Sequence, residues 1–210
     1  MSSRLDQDVV SCCTNLPPAN WKLWSRDTQK VYALSDGTRT EERIALLLGR
    51  TQADVHTILS VLFLSGYITL QRGGHDVVDF ALLETSYQVI VSQQKAFLFD
   101  FRLAIFERPD VFSLFSSPHF ESNFLQALHT ILLKMQRHDP SVFQFVQQLG
   151  ARHEKYGVTR EHFRLVGGFF LTVLQRYVGV LWTRPMQRTW EALFGVLTDV
   201  MLFGYGQFTV

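Results

Sequence analysis

The chain has 210 residues, of which 47% are hydrophobic and 19% charged, so a packed core is expected and extended disorder is not. Its 20 Lys and Arg against 19 Asp and Glu leave a net charge of +1, which excludes a polycationic nucleic-acid binder. Adjacent Cys12 and Cys13 provide neither a disulfide framework nor a zinc-binding spacing. Charged Arg4 and Asp6 are incompatible with a signal peptide, and the longest near-apolar run, 165–174, is too short to span a membrane. The sequence therefore predicts a soluble, cytoplasmic protein that does not engage a membrane.

The first 80 residues predict a flexible start, two short helices and a two-stranded ribbon. Residues 1–20 are polar and contain Pro17 and Pro18, so a flexible N-terminus is predicted there. Beyond it, apolar residues recur at helical spacing and a glycine follows each such stretch, as at helix ends. The predicted elements are a turn at 36–40, helices at 41–48 and 52–65, and strands at 67–70 and 77–80.

Residues 31–40 (VYALSDGTRT) and 44–49 (IALLLG) resemble a winged-helix family, which implies a winged-helix-like domain over 21–80. Such domains bind DNA in some proteins and protein partners in others. Residues 1–80 carry eight basic and nine acidic residues, and the helix predicted at 52–65 has no Lys or Arg. Because phosphate attraction supplies much of DNA affinity, a protein partner is favoured over DNA for residues 21–80.

From about residue 81 the pattern changes to long amphipathic helices without strand signals, as expected for one all-α domain over 81–210. The predicted fold class is mainly α, a small winged-helix-like domain followed by an all-α domain. Breaks fall at prolines and glycines, and helices are predicted at 83–106, 118–137, 141–155, 160–178 and 184–205.

One candidate metal ligand, His153, lies near the end of the helix that Gly157 terminates, with Leu149 one turn earlier on the same face. Residues 149–167 (LGARHEKYGVTREHFRLVG) resemble the proximal region of globins, particularly the neuroglobin and flavohaemoglobin branches. Four other segments resemble globins in the same order, over about residues 84–205: 86–87 (SY), 109–115 (PDVFSLF), 117–120 (SPHF) and 189–194 (TWEALF). The resemblance implies a globin fold in which His153 ligates the iron of haem b and a diatomic gas (O2, NO or CO) binds opposite.

The resemblance also implies the residues around the cofactor. Phe115 corresponds to the phenylalanine that stacks on the porphyrin, and Phe101, 14 residues earlier, stands where flavohaemoglobins carry a tyrosine. Asn123, 30 residues before His153, falls at the distal gate, although a shift of one residue would place Phe124 there. Phe163 stands where flavohaemoglobins have a second tyrosine, and Arg152 is a candidate for holding a haem propionate. Ala127, Leu149 and Val158 complete the predicted cofactor contacts.

Three functions are compatible with these residues. The favoured one is a haem-based gas or redox sensor that signals through the winged-helix-like domain, a role that is not enzymatic. The alternatives are an NO dioxygenase or peroxidase-type globin using a separate reductase, which the missing hydroxyls at Phe101 and Phe163 disfavour, and a haemless globin-fold scaffold. His119 is a further candidate for a sixth iron ligand, and the apolar last helix could pair two chains in a homodimer.

Overall fold

The computed structural model describes residues 9–13, 21–72, 75–115, 120–137, 139, 141–203 and 205. The chain divides into two compact units. One comprises Met1–Val77 together with Lys134–Phe145, and the other comprises Val78–Leu133 together with Val146–Val210. Helices dominate the described residues, which confirms the predicted mainly α fold class.

The first unit carries a small antiparallel sheet beside three helices. The elements are β1 (Val9–Cys13), α1 (Arg26–Leu34), β2 (Asp36–Thr40), α2 (Glu41–Leu48), α3 (Gln52–Leu64), β3 (Ile68–Arg72) and β4 (His75–Asp76), with a short 3-10 turn at Trp21–Leu23. The strands lie in the order β2-β1-β3-β4, so β1 is hydrogen-bonded on both sides, with Cys13 opposite Ile68 on one neighbour and Cys12 opposite Asp36 on the other.

The prediction of a flexible N-terminus is wrong for Val9–Cys13, which form the inner strand β1. Two β-branched valines begin this segment, and pairing on both sides satisfies its backbone donors and acceptors, which outweighs its polar surroundings. Residues 1–8 and 14–20 lie outside the described residues. The turn predicted at 36–40 is instead strand β2, which pairs with β1.

The helices of the first unit begin at side-chain caps. The hydroxyls of Thr40 and Thr51 accept hydrogen bonds from the backbone N–H of Arg43 and Asp54, at the starts of α2 and α3. Gly49 ends α2 with φ of 61°, a left-handed conformation that favours glycine. These caps explain why both helices could be predicted from sequence to within a residue or two.

The returning strand predicted at 77–80 is instead β4 at His75–Asp76, because Asp79 begins the next helix. The Asp79 carboxylate accepts hydrogen bonds from the backbone N–H of Ala81 and Leu82, at 2.9 and 3.1 Å. This cap starts the helix at Phe80, three residues before the predicted start.

Among its described residues the second unit contains helices and turns but no strand, and two of its helices run into the segment Lys134–Phe145 of the first unit. The single helix predicted over 83–106 is two helices, because Gln93 adopts a non-helical conformation (φ −125°, ψ 29°) between them. The helices are α4 (Phe80–Ser92), α5 (Gln94–Phe106), α6 (Pro109–Phe112), α7 (Phe120–Gln136), α8 (Ser141–Lys155), α9 (Arg160–Val178) and α10 (Arg184–Phe203), with short 3-10 turns at Ser113–Phe115 and Gly179–Leu181.

Aromatic rings fill the core of the second unit. Phe97, Phe101, Phe170 and Trp190 are fully buried, and the Phe170 ring centroid lies 5.2 Å from that of Trp190. The indole N–H of Trp190 donates a 2.8 Å hydrogen bond to the hydroxyl of buried Ser86, which satisfies the one polar group of that ring. α4, α5, α9 and α10 are thereby joined around one aromatic core.

Helices α8 and α10 approach closely at one glycine. A Cβ atom placed on buried Gly150 would overlap the backbone carbonyl of Met201, so only glycine fits at this crossing. Gly150 lies three residues before His153, and the crossing therefore sets the position of the helix that carries this candidate ligand.

By length and composition alone, Arg160–Leu181 could cross a membrane. One such helix is weak evidence, because core helices of soluble proteins pass the same test; 28% of its apolar segment is buried, and the buried residues include Phe170, Val173 and Leu174. The absence of a membrane partner stays a prediction.

Candidate functional site

His153 lies in the last turn of α8, where it is half-buried. Its Nδ1 lies 2.7 Å from the carbonyl oxygen of Leu149. Because a carbonyl can only accept, Nδ1 carries the hydrogen and the lone pair of the neutral ring resides on Nε2. Nε2 makes no hydrogen bond to any described residue, which leaves it available as a ligand.

The surroundings keep the His153 ring neutral. Burial lowers the pKa of His153 below its ordinary value, the nearby Arg152 charge adds to the lowering, and the hydrogen bond to Leu149 opposes it. A neutral imidazole is the form that binds a metal. Among the described residues no group of three His, Cys, Asp or Glu side chains could hold a metal ion.

Contacts from α9 and the C-terminal residues fix the turn that follows His153. The Phe163 ring centroid lies 5.3 Å from that of His153, with the ring planes at 45°. The backbone N–H of Val158 donates to the carbonyl of His153 (3.1 Å), and the Tyr205 hydroxyl donates to the carbonyl of Val158 (2.8 Å). The structure thus places Leu149, Val158 and Phe163 beside His153. The sequence analysis missed the role of Tyr205, because the hydrogen bond joins residues 47 apart in the chain.

A second group of site residues forms a cluster of phenyl rings, here called the phenyl cluster: Phe101, Phe115, Phe120, Phe124 and Phe170. Phe101 is fully buried, with ring centroids of Phe124 and Phe170 at 5.1 and 5.8 Å. Phe120 packs edge-on against Phe115 at 4.2 Å. The structure thus brings together the predicted residues Phe101, Phe115 and Phe124. The sequence analysis assigned no ligand-facing role to Phe170.

Helix α9 relates His153 to the phenyl cluster. Phe163 contacts His153, and Phe170 contacts Phe101 and Phe124. The two residues are seven apart, so they share one face of the helix and are separated by about 10 Å along its axis. His153 and the phenyl cluster therefore lie at the two ends of a two-turn stretch of one helix face, on which Gly167 contributes no side chain.

The remaining predicted residues lie nearer solvent. The side chains of Asn123 and Arg152 are exposed, and Ala127 is half-buried. His129, on α7, is exposed and stacks on Tyr87 with ring centroids 5.9 Å apart. His119 lies outside the described residues.

The globin family model matches residues 105–201, which run from the end of α5 into α10 and include His153, Phe115 and Phe163. This part of the chain is therefore similar in sequence to globins. Phe101 precedes the matched segment, and its place in the site therefore rests on its ring contacts rather than on the family match.

Curated proteins with similar sequences match part of this chain. Neuroglobin of Chaenocephalus aceratus is 29% identical over 94 residues, covering 44% of this chain and 59% of the relative. Flavohemoprotein of Bordetella pertussis (strain Tohama I) is 31% identical over 98 residues, covering 45% of this chain and 24% of the relative. Flavohemoprotein of Bacillus subtilis (strain 168) is 27% identical over 62 residues, covering 30% and 16%. The chain thus spans about three fifths of the neuroglobin and a quarter or less of the flavohemoproteins.

Proposed function

We propose that this protein binds haem b through Nε2 of His153, with a diatomic gas as the ligand on the opposite side of the iron. The observation that carries the proposal is the 2.7 Å hydrogen bond from Nδ1 of His153 to Leu149 within the segment similar to globins, because it leaves Nε2 as the free ligand atom. The lowered pKa of His153 supports a ring that is neutral and able to coordinate metal at neutral pH. Haem would supply an iron with an open coordination position.

The residues at hand fit a flat aromatic cofactor between two walls. Leu149, Val158 and Phe163 lie on the His153 side, and the rings of Phe101, Phe115 and Phe124 form an apolar wall about two helical turns away along α9. The exposed side chain of Asn123 supports Phe124 rather than Asn123 as the distal residue. Ala127 lies on the same helix as Phe124. Arg152 is exposed next to His153, and its positive charge suits it to hold a haem propionate.

The protein acts as a gas or redox sensor in this proposal, and residues 21–80 pass the signal to a protein partner. The order helix, strand, two helices and hairpin over α1 to β4 supports a winged-helix-like domain there. Two of its basic residues, Arg39 and Arg50, are held in ion pairs with Asp36 and Asp27, which supports a protein partner over DNA. A cytoplasmic location is part of the same proposal.

The haem proposal is tested by absorption spectroscopy of the purified full-length protein reconstituted with hemin. The wild type is expected to show a Soret band, His153→Gly to lose or strongly shift it, and added imidazole to restore the wild-type spectrum of His153→Gly. His129→Ala is the matched control, since it removes an exposed histidine and should leave the band unchanged. A wild type that remains colourless would favour the scaffold interpretation, and a Soret band unchanged in His153→Gly would overturn the assigned ligand.

Sensing requires that the gas change the state of the first unit, since a ligand shifts an equilibrium only through different affinities for its states. Hydrogen exchange of the ferrous full-length protein, with and without CO, tests this requirement. We expect changed protection in peptides covering α1 to α3. Identical exchange in both forms would contradict signalling through that region and leave haem binding intact.

A further inference from the structure

We infer that the outward face of α5 is an interface with a second copy of this chain, in which the two α5 helices lie side by side and parallel. The pairing does not depend on haem binding, so either proposal can fail without the other. It is carried by the exposure of the apolar side chains on this face, by their spacing along the helix and by the charges that flank them.

Helix α5 is apolar on two opposite faces. The residues of its inward face are buried in the core: Phe97, Phe101 and Ile105. Its outward face carries large apolar side chains that remain 63%, 47% and 44% exposed: Phe99, Leu103 and Phe106. A helix that is apolar all round is normally buried all round, and an exposed apolar patch marks an interaction surface. The outward face of α5 is therefore expected to be covered by a partner.

The spacing of the outward residues is that of a helix that pairs with another helix. Together with exposed Ala96, they follow one another at intervals of three, four and three residues: Ala96, Phe99, Leu103 and Phe106. This pattern, here called the α5 seam, matches positions a and d of two coiled-coil heptads. The seam is only about 20 Å long, but packing of the inward face already holds the helix in place. Pairing therefore does not have to pay for helix formation.

The charges beside the α5 seam match a second copy of the same helix in parallel orientation. Lys95 and Arg102 lie at g positions on one side of the seam, and Asp100 and Glu107 lie at e positions on the other. In a parallel pair, each g residue faces the e residue five positions later in the other helix. Lys95 then faces Asp100 of the second copy, and Arg102 faces Glu107. In an antiparallel pair, g faces g and e faces e, which brings like charges together.

The flanking side chains are accessible for these contacts. Lys95, Arg102 and Glu107 are exposed, and Asp100 is half-buried. The Asp100 carboxylate accepts a 2.9 Å hydrogen bond from the hydroxyl of Tyr177, which is one of several that a carboxylate can accept. The guanidinium of Arg102 lies 5.5 Å from the centroid of the Phe106 ring, so this side chain already extends along the seam. Arg102 and Glu107 therefore form the more exposed of the two ion pairs.

Sedimentation velocity of the full-length protein over a range of concentrations tests the interface. We expect the wild type to dimerise and Phe99→Glu and Leu103→Glu to be monomeric, because each places a charge within the apolar seam. Both residues are exposed, so the variants should keep the fold, which thermal unfolding checks. Val180→Glu is the matched control, since it adds the same charge at a fully exposed apolar residue outside α5 and should leave the dimer intact.

Two results would overturn the interface. A wild type that is monomeric at every concentration would show that no second copy covers the α5 seam. A dimer that persists in both seam variants would place the interface elsewhere, for example on α10.

A charge exchange tests the parallel orientation. Arg102→Glu places two carboxylates opposite each other in each ion pair, and we expect the dimer dissociation constant to rise about tenfold. Adding Glu107→Arg to that variant restores opposite charges and should return the constant to about the wild-type value. Residues 102 and 107 lie about 140° apart around one helix, so this rescue does not arise from a contact within one chain. Tighter dimerisation of Arg102→Glu, as expected for an antiparallel pair, or a double variant without rescue would overturn the parallel pairing.

Discussion

The hydrogen bond between His153 and Leu149 determines which nitrogen of the His153 ring is free to act as a ligand, which the presence of a histidine alone does not determine. Both ring nitrogens of an exposed histidine form hydrogen bonds with water, whereas Nδ1 of this ring donates to a carbonyl within its own helix. Burial between α8 and Phe163 then disfavours the protonated form. Free Nε2 and a neutral ring follow from the same packing.

The pH dependence of stability should report this burial. Because the pKa of His153 is lowered in the folded state, the unfolded chain binds more protons than the folded chain between that pKa and the ordinary value of 6.5. The free energy of unfolding of the haem-free protein should therefore fall as pH drops below 6.5 and be insensitive to His153 above it. Urea unfolding at several pH values checks this, and His153→Gln should flatten the dependence. An equal slope in His153→Gln would contradict the assignment.

A second prediction at the residue scale concerns the Trp190–Ser86 hydrogen bond, whose two side chains are fully buried. Ser86→Ala leaves the indole N–H without an acceptor, so we expect a loss of about 1–3 kcal/mol in the free energy of unfolding. Ser92→Ala, at an exposed position on the same helix, is the matched control and should change stability by less than about 0.5 kcal/mol. Denaturant unfolding of both variants makes the comparison, and equal losses would mean that the buried bond contributes nothing specific.

At the scale of elements, the crossing of α8 and α10 is set by the glycine at its centre. Gly150 allows the backbone of Met201 to approach where any side chain would collide with it. A glycine inside a helix lowers helix stability by about 1 kcal/mol relative to alanine, so close packing must offset that cost. The position of His153 depends on this crossing, because the same helix carries both residues.

Gly150→Ala is therefore expected to destabilise the protein despite the better helix propensity of alanine. The added methyl group forces α8 away from Met201, and we expect a loss of about 1–3 kcal/mol, as for other overpacked sites. Gly195→Ala, on α10 with nothing within 4 Å of the added Cβ, should instead stabilise by about 1 kcal/mol. A lower melting temperature for Gly150→Ala and a higher one for Gly195→Ala would support close packing of the two helices at Gly150. A higher melting temperature for both variants would refute it.

At the scale of the whole molecule, the distribution of charge gives the chain little electrostatic attraction for the phosphates of a nucleic acid. The net charge is +1, and the ion pairs of Arg39 and Arg50 reduce the positive charge that the first unit could present to phosphates. A protein partner can instead be bound through shape complementarity and apolar contacts, which do not require a net positive charge.

Fluorescence anisotropy with a random-sequence DNA duplex tests this distribution of charge. We expect weak binding, with a slope of log affinity against log salt no steeper than about −2, because few counterions would be released. A reversal of the Asp27 and Asp36 charges to lysine should strengthen binding and steepen the slope, which provides a positive control. Tight binding by the wild type with a steep salt dependence would favour DNA as the partner of residues 21–80.

The sequence by itself determined most of the helices and the candidate ligand. Helical periodicity, the threonine caps of α2 and α3 and the glycine that ends α2 are local signals, carried within a few residues of where they act. The motif around His153 is equally local, so the residue could be named before its surroundings were known. The lack of hydroxyls at Phe101 and Phe163 was likewise visible in the sequence.

Only the tertiary structure decided which distant groups meet. It paired β1 with strands on both sides, bonded Trp190 to Ser86 across 104 residues, and packed Phe120 into the phenyl cluster while leaving Asn123 exposed. Local sequence patterns indicate which face of a helix or strand is apolar. Which other element packs against that face depends on the free energy of the whole folded structure. A rotation of α7 by one residue, about 100°, exchanges Asn123 for Phe124, and the burial of the phenyl rings selects between them.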